Sequence, residues 1–310
     1  MDERLRQLDP PPPPLSAPIL AARDKMTTAA RHLLALRDEN IERDWAWIGQ
    51  GGESDIRSGL YLALQALEEG TGQVQRALAD GGARRKAATS MLAAATAARW
   101  ELHGVLAPLD DAILDADPGD EQWTVRGTLA HVLHVHRAYP YFSSWWLGRR
   151  DVAADDYPRF VPDEMDQDLP AEETNGSGSL DAIRARFDVL VDVGADAWRD
   201  ATDDDLAVRA RWSGFPVTVG FRLGRWSPHI QEHTVQVEKT LEMLTRRTTE
   251  VERLVRLVYR GFGRLEASAW GLPDDALAAA GADGRSAGAA LEAAADEVAR
   301  IAAELPPLAS

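Results

Sequence analysis

Two histidines on one predicted helix are the clearest chemical signal in this sequence. His229 and His233 lie four residues apart in the segment 225–236. On an α-helix that spacing places both side chains on the same face, about one turn apart. Such a pair supplies two of the donors that a first-row transition metal needs, and a further ligand must then come from another element.

A second group of histidines lies upstream, in the segment 123–136, and contains His131, His134 and His136. Five of the seven histidines of the chain therefore fall in two short segments. His131 is predicted to be the third ligand, and His134, about one turn further along the same helix, is a candidate to support the site. The histidines interpreted as ordinary hydrogen-bonded or exposed side chains are His32, His103 and His136.

Three neutral imidazoles leave at least one metal position open, which is typical of a reactive site rather than a structural one. Zinc is the first choice of metal, and nickel, iron and cobalt are also compatible. An ion held in this way lowers the pKa of a bound water or thiol toward ~7. Glu232 and Gln236 are candidates to orient the ligands or to transfer protons, and Arg222 and Arg225 are candidate substrate- or cofactor-binding residues for a carboxylate.

Composition excludes several classes of function. The formal net charge of −16, with a pI near 4.9, argues against nucleic acids and anionic membrane surfaces as partners. The chain has no cysteine, so disulfides, thiolate nucleophiles and cysteine-ligated metals are excluded, and any thiol must come from outside. No apolar stretch approaches the ~20 residues of a membrane span. The charged, proline-rich N-terminus does not resemble a signal peptide, so a cytoplasmic location is expected.

Helical periodicity runs through most of the chain and predicts an all-α fold. Residues 1–16, with five consecutive prolines, are predicted to be a polyproline II tail or strut with no packed core. Two longer connections follow later, an acidic loop over 148–178 that would be a lid or mobile, and residues 199–227, where alternation around Ser213 and Gly214 favours a short β-hairpin. The predicted helices are 17–37, 54–79, 84–107, 124–147, 179–198, 228–247, 249–269 and 284–304.

Helix start signals position the candidate ligands. Thr124 is predicted to cap the helix of His131. Ser227 is predicted to cap the helix of His229 and His233, with Pro228 at its first position. The apolar stripe expected to bury that second helix consists of Ile230, Val237, Leu241 and Leu244.

An internal repeat is also visible, because residues 56–64 align without a gap on residues 125–133. The chain then reads as a tail (1–16), a helix pair (17–83), a central four-helix bundle (84–248) and a C-terminal helix pair (249–310). The outer pairs carry no histidine at the position of His131. Two arrangements suit them: they pair with each other as a second, degenerate bundle, or they pack on the first.

The two histidine segments together resemble the DinB-like (damage-inducible) family. The residues that carry this resemblance are Trp123-Thr124-Val125-Arg126, then Leu129-Ala130-His131, and finally His229-x-x-x-His233-Thr234-Val235-Gln236-Val237-Glu238-Lys239-Thr240-Leu241. The family includes mycothiol-dependent maleylpyruvate isomerases, thiol S-transferases and the metal-binding domain of ergothioneine synthases. The resemblance implies an up-and-down four-helix bundle whose second and fourth helices hold a metal through His131, His229 and His233.

The leading hypothesis is a metal-dependent enzyme that transfers a group to or from its substrate, or isomerises the substrate, with the help of a low-molecular-weight thiol. A metal-activated hydrolase is the other form of this hypothesis. Its partner would be a small-molecule substrate, and a homodimer is compatible with the sequence. The alanine-, arginine- and aspartate-rich composition is typical of a GC-rich bacterium, where mycothiol is a suitable thiol. The alternatives are a non-catalytic metal- or ligand-binding stress-response module and a purely structural helical protein. The second of these predicts that the three imidazoles lie far apart.

Overall fold

Helices dominate the computed structural model of this protein, which describes residues 2–46 and 53–305. Its longer helices are α1 (Ala17–Leu34), α2 (Ile56–Asp80), α3 (Ala87–Leu106), α4 (Val125–Leu147), α7 (Leu180–Trp198), α10 (Trp226–Met243), α11 (Glu250–Ala269) and α13 (Ala287–Glu304). The short ones are α5 (Asp163–Gln167), α6 (Glu172–Asn175), α8 (Asp203–Leu206), α9 (Val219–Gly224) and α12 (Asp274–Ala278). The prediction of an all-α fold is confirmed, and each long helix matches a predicted one.

Two small antiparallel hairpins accompany the helices of the described residues. Strands β1 (Asp44–Ala46) and β2 (Glu53–Asp55) pair immediately before α2, and no sequence signal predicted them. Strands β3 (Arg209–Trp212) and β4 (Phe215–Thr218) form the hairpin expected in the second connection. Its turn residues Ser213 and Gly214 both have positive φ, of 49° and 82° respectively, the backbone geometry that a tight hairpin requires.

The chain divides into two compact units that do not follow the predicted boundaries. Unit 1 consists of Met1–Pro14, Arg85–Arg99 and Leu109–Arg246, and unit 2 consists of Leu15–Arg84, Trp100–Pro108 and Arg247–Ser310. Helix α3 therefore contributes residues to both units.

In unit 1, helix α4 packs against α7 and α10. The part of α3 that belongs to this unit reaches α7 through a buried ion pair, in which Arg99 Nη1 lies 2.8 Å from Asp192 Oδ1. The predicted apolar stripe of α10 is confirmed for Ile230, Val237 and Leu241, which are at most 7% exposed. Burying side chains of this size contributes roughly 1.5–3 kcal/mol each to the free energy of unfolding.

The N-terminal segment of unit 1, residues 2–14, is packed, so the prediction that it lacks a packed core is wrong. Leu5 is 1% exposed. The buried guanidinium of Arg137 on α4 donates hydrogen bonds to the backbone carbonyls of Leu5, Gln7 and Leu8. A buried guanidinium needs acceptors for its N–H donors, and the backbone carbonyls of this segment supply three of them. We call residues 2–14 the N-terminal strap.

The acidic connection over 148–178 holds the short helices α5 and α6 rather than a structureless loop. Asn175 at the end of α6 is fully buried and accepts a 2.5 Å hydrogen bond from Arg137 Nε. The same connection reaches the strap through Arg6 and Asp168, whose side chains are 3.0 Å apart. One arginine of α4 therefore ties both the strap and this connection to the helix that carries His131.

Helix α10 begins at Trp226, two residues before the predicted start, so Ser227 is not its cap. The residue before the helix, Arg225, is itself helical (φ −75°, ψ −16°), because α9 runs almost directly into α10. Ser227 Oγ instead accepts a 2.9 Å hydrogen bond from Gln231. Pro228 is tolerated at the third helical position because the first backbone N–H groups of a helix have no intrahelical acceptor. The predicted cap of α4 is present, since Thr124 Oγ1 accepts from the Gly127 N–H at 3.0 Å.

In unit 2, α1, α2, α11 and α13 form a bundle in which α1 and α2 each contact both α11 and α13. The outer helix pairs thus pair with each other, the first of the two arrangements considered from the sequence. Within this bundle the fully buried Glu266 accepts hydrogen bonds from Arg23 and from Trp100 Nε1, the latter at 2.9 Å. None of the helices formed by residues 2–46 and 53–305 combines the length and apolarity needed to cross a membrane.

Candidate metal centre

Three histidines of unit 1 meet at one point. His131 lies two turns into α4, and His229 and His233 lie on consecutive turns of α10. One ring nitrogen from each lies within 4.8 Å of the others, and the Nε2 atoms of His229 and His233 are 3.1 Å apart. Nitrogens that share a tetrahedral ion at ~2.05 Å lie about 3.3 Å from one another. The spacing of these rings is therefore close to that of a metal-bound set.

The remaining ring nitrogens of two of these histidines are occupied by neighbours. His233 Nδ1 lies 2.7 Å from Gln236 Oε1, and His131 Nδ1 lies 3.3 Å from each carboxylate oxygen of Glu172. Because an amide oxygen and a carboxylate can only accept, both contacts place a proton on Nδ1. The Nε2 lone pairs of both rings are then free to ligate a cation, the arrangement in which outer carboxylates and carbonyls orient metal-ligating histidines.

Burial favours the uncharged form of two of these histidines, His229 and His233. It lowers the pKa of His229 to about 2, with a further contribution from the neighbouring imidazoles, and it also lowers the pKa of His233. His136, fully buried behind His229 with ring centroids 5.8 Å apart, has its pKa lowered to about 3 for the same reason. The rings of His136, His229 and His233 are therefore neutral at pH 7, and a neutral imidazole is the form that binds a metal.

The three histidines border a cavity of about 500 Å³ in unit 1. This volume lies within the range of small-molecule sites. His229 and His233 are 5% and 7% exposed, so the nitrogens lie in a recess rather than on an open surface. Much of the wall is aromatic and consists of Tyr139, Phe142, Trp146, Phe160 and Trp212.

The other candidate residues from the sequence occupy the same region. Arg222, Arg225 and Glu232 line the cavity. Arg225 Nη2 lies 3.5 Å from the Glu232 carboxylate, whose side chain is 62% exposed. Gln236 contacts His233, so its position suits an orienting role, and an amide side chain has no titratable proton for acid–base transfer.

His134 also lines the cavity, between a backbone carbonyl and a carboxylate. Its Nδ1 lies 3.3 Å from the carbonyl oxygen of Pro170, and its Nε2 lies 3.7 Å from Asp166 Oδ1. Both of these neighbours can only accept a hydrogen bond.

Sequence reasoning missed three residues that contact the ligands. Glu172 is one acidic residue among many in its connection, and nothing in its spacing distinguishes it. His136 was interpreted as an ordinary hydrogen-bonded or exposed side chain, yet its ring is buried against His229 and Trp226. Trp123 lies nearly parallel to His233, with 6.4 Å between ring centroids, and its position just before Thr124 could have indicated it.

The family model of the DinB superfamily matches residues 94–237, from within α3 to within α10. The matched range includes His131, His229 and His233, together with the connection that carries Glu172. The family resemblance drawn from the two histidine segments is thereby confirmed. No curated protein and no solved structure matches the chain significantly.

Proposed function

Because residues 94–237 belong to the DinB superfamily and bring three histidines together, we propose that this protein is a metal-dependent enzyme acting on a small molecule. One observation carries this proposal: the three converging imidazoles lie in the wall of a largely aromatic cavity. A buried recess favours catalysis over simple metal storage, since it allows a substrate to be surrounded at the open metal position. In a purely structural helical protein the three rings would lie far apart, whereas here one ring nitrogen of each lies within 4.8 Å of the others.

The donor set fits a divalent metal of the zinc, nickel, iron and cobalt group, with zinc as the first choice. His131, His229 and His233 would hold the ion. His131 and His233, whose Nδ1 atoms are occupied by neighbours, would bind it through their Nε2 lone pairs. When bound, such an ion acts as a Lewis acid and lowers the pKa of a coordinated thiol or water. Glu172 and Gln236 keep the rings oriented, so that little reorganisation is needed on binding.

The residues around the cavity supply proton transfer and recognition. Glu232 and His134 are the groups proposed to accept the proton of an incoming thiol or water, since both line the cavity. The aromatic wall excludes water from the reacting end of a substrate. The reaction we propose is a thiol-assisted transfer or isomerisation, with the thiol supplied from outside because the chain has no cysteine.

Elemental analysis of the protein purified without added metal tests the first step. We expect close to one equivalent of a divalent metal in the wild type and in His32→Ala, which alters an exposed histidine of α1, and a trace only in His233→Ala. A wild type with no more metal than His233→Ala would overturn the proposal.

The thiol is tested separately, on the metal-loaded protein. Titration with mycothiol, bacillithiol and glutathione, followed by calorimetry, is expected to show binding of one of them that His233→Ala abolishes. Absence of binding by all three would remove the thiol step. Hydrolysis of activated ester or amide substrates by the metal-loaded protein would then identify the metal-activated hydrolase instead.

A further inference from the structure

Arg222 on α9 is a buried cation without an anionic partner. Its side chain is 5% exposed, and no carboxylate among the described residues lies within ion-pair distance of it. Its Nε donates to Ser143 Oγ at 3.1 Å and its Nη1 donates to the Arg211 carbonyl at 2.8 Å. Burial lowers the pKa of Arg222 to about 10, which still leaves the guanidinium charged at pH 7.

Such a residue is unusual because a charge removed from water destabilises the fold unless an opposite charge or a full set of hydrogen bonds compensates. The two neutral acceptors use part of the guanidinium fork. Arg222 also lines the cavity beside the metal centre. A ligand in that cavity could therefore supply the anion that the protein itself does not.

Two neighbouring arginines also have an unused hydrogen-bond donor. The Nε atoms of Arg211 and Arg225 are buried and have no hydrogen-bond partner among the described residues. Arg225 has a carboxylate only at 3.5 Å, from Glu232, and its guanidinium lies 5.1 Å from the ring centre of Trp212. Both residues line the cavity with Arg222.

The charge of the cavity wall is opposite to that of the chain. Four arginines line it (Arg159, Arg211, Arg222 and Arg225), against two carboxylates (Asp166 and Glu232), while the whole chain carries a formal net charge of −16. A local excess of cations in a recess with apolar walls concentrates field lines and attracts anions. The surroundings are aromatic, which suits an organic anion with a planar or apolar body rather than an inorganic one.

We propose that the cavity binds an organic carboxylate, with its carboxylate on Arg222 and its apolar body against Tyr139, Trp212 and the other aromatic side chains of the wall. The planar guanidinium fork matches the geometry of a carboxylate, and Arg225 and Arg211 add positive potential beside it. This assignment deepens the proposed function. It rests on that function in one respect, namely that the other end of the bound molecule reacts at the three histidines.

The test measures binding of 4-bromobenzoate and of its uncharged analogue 4-bromobenzamide to the purified holoprotein by calorimetry. We expect the carboxylate to bind the wild type at least ten times more tightly than the amide. The change Arg222→Gln should weaken binding of the carboxylate about ten- to hundred-fold relative to the wild type, the range for loss of a charge-assisted hydrogen bond. The matched control Arg199→Gln removes a half-exposed arginine at the end of α7 and should leave binding unchanged.

Three results would overturn the proposal: no binding of 4-bromobenzoate at millimolar concentration, equal binding to wild type and Arg222→Gln, or loss of binding in His233→Ala alone. The last result would mean that the carboxylate sits on the metal. If Arg222→Gln does not fold, anomalous diffraction from bromine in wild-type crystals decides, since the carboxylate must lie within hydrogen-bond distance of Arg222.

The two proposals can fail independently. A wild type without metal that still binds 4-bromobenzoate through Arg222 would end the proposed metal-dependent function and leave the carboxylate site standing. The opposite result would be a metal-loaded wild type and a metal-loaded Arg222→Gln variant that bind 4-bromobenzoate with equal affinity. That result would end the carboxylate site and leave the metal-dependent function standing.

Discussion

Both carboxylate oxygens of Glu172 lie 3.3 Å from Nδ1 of His131, although 41 residues separate the two along the chain. The contact joins α6, at the end of an acidic connection, to the helix that supplies the first candidate ligand. We expect Glu172→Gln to weaken metal binding about 10- to 100-fold, the usual cost of removing an outer carboxylate from a ligating histidine. Competition with a chromophoric chelator measures this. The adjacent, exposed Glu173→Gln is the control, and equal affinity in the two variants would contradict the role given to Glu172.

The buried, uncharged state of His136 predicts that the metal-free protein loses stability in acid. The unfolded chain protonates this histidine below its ordinary pKa of ~6.5, whereas the native state does not until the pH approaches 3. The unfolded state therefore binds more protons in between, and the free energy of unfolding falls as the pH falls. His136 alone should account for roughly 3 kcal/mol between pH 7 and pH 4.5.

Urea denaturation of the metal-free wild type and of His136→Phe at these two pH values tests that prediction. Phenylalanine fills the same space without a titratable group, so the variant should lose less stability in acid. His229, whose pKa is also lowered, would still contribute to the slope in both proteins. The same slope for both proteins would mean that His136 is not buried in its neutral form.

The N-terminal strap should contribute measurable stability to unit 1. Leu5→Ala removes a side chain that is 1% exposed, and we expect a loss of about 2–5 kcal/mol if the strap unfolds together with the unit. Leu20→Ala, at a leucine of α1 that is 51% exposed, should change stability by less than about 0.5 kcal/mol. Hydrogen exchange of residues 163–178 gives a second measurement, because faster exchange there in Leu5→Ala would link the strap to the Glu172 connection.

Two glycines of α2 should respond oppositely to alanine. At Gly70 a Cβ would lie 2.4 Å from the Cβ of Ala294 on α13, so Gly70→Ala forces the two helices apart and should cost about 1–3 kcal/mol. At Gly72 no atom lies within 4 Å of the added Cβ. Gly72→Ala should therefore gain about 0.5–1 kcal/mol from helix propensity alone. Thermal and urea unfolding of both variants checks the pair, and a stabilised Gly70→Ala would show that the helices do not touch there.

The long helices and the three candidate ligands could be predicted because both depend on local periodicity. The i, i+4 spacing of His229 and His233 fixes their common face whatever surrounds the helix. Thr124 capped its helix as expected for the same reason, since the capping residue and the N–H that it accepts are three residues apart. The cap predicted at Ser227 is absent because α9 runs into α10. That arrangement depends on tertiary packing rather than on the dipeptide Ser-Pro.

Contacts between distant segments could not be predicted. The partner of His131 lies in a connection whose acidic residues all look alike from the sequence, and the acceptors of Arg137 are backbone carbonyls, which leave no signature in side-chain type. The burial of His136 against His229 and Trp226 depends on how α4 packs on α10, which the spacing of residues within α4 does not indicate. The division of α3 between two units likewise follows from packing alone.

The strap has a consequence for the order in which this protein folds on the ribosome. Residues 2–14 are synthesised well before their partners, since Arg4 pairs with Asp196 and Asp9 pairs with Arg186, which are 192 and 177 residues later in the chain. During synthesis the strap must remain undocked while the segments of both units between it and α7 emerge. Closing such long loops is slow, so docking of the strap should be among the last steps, after the helices of unit 1 have assembled. A nascent chain stalled before residue 180 would accordingly leave its N-terminus open to protease, and release of the full-length chain would protect it.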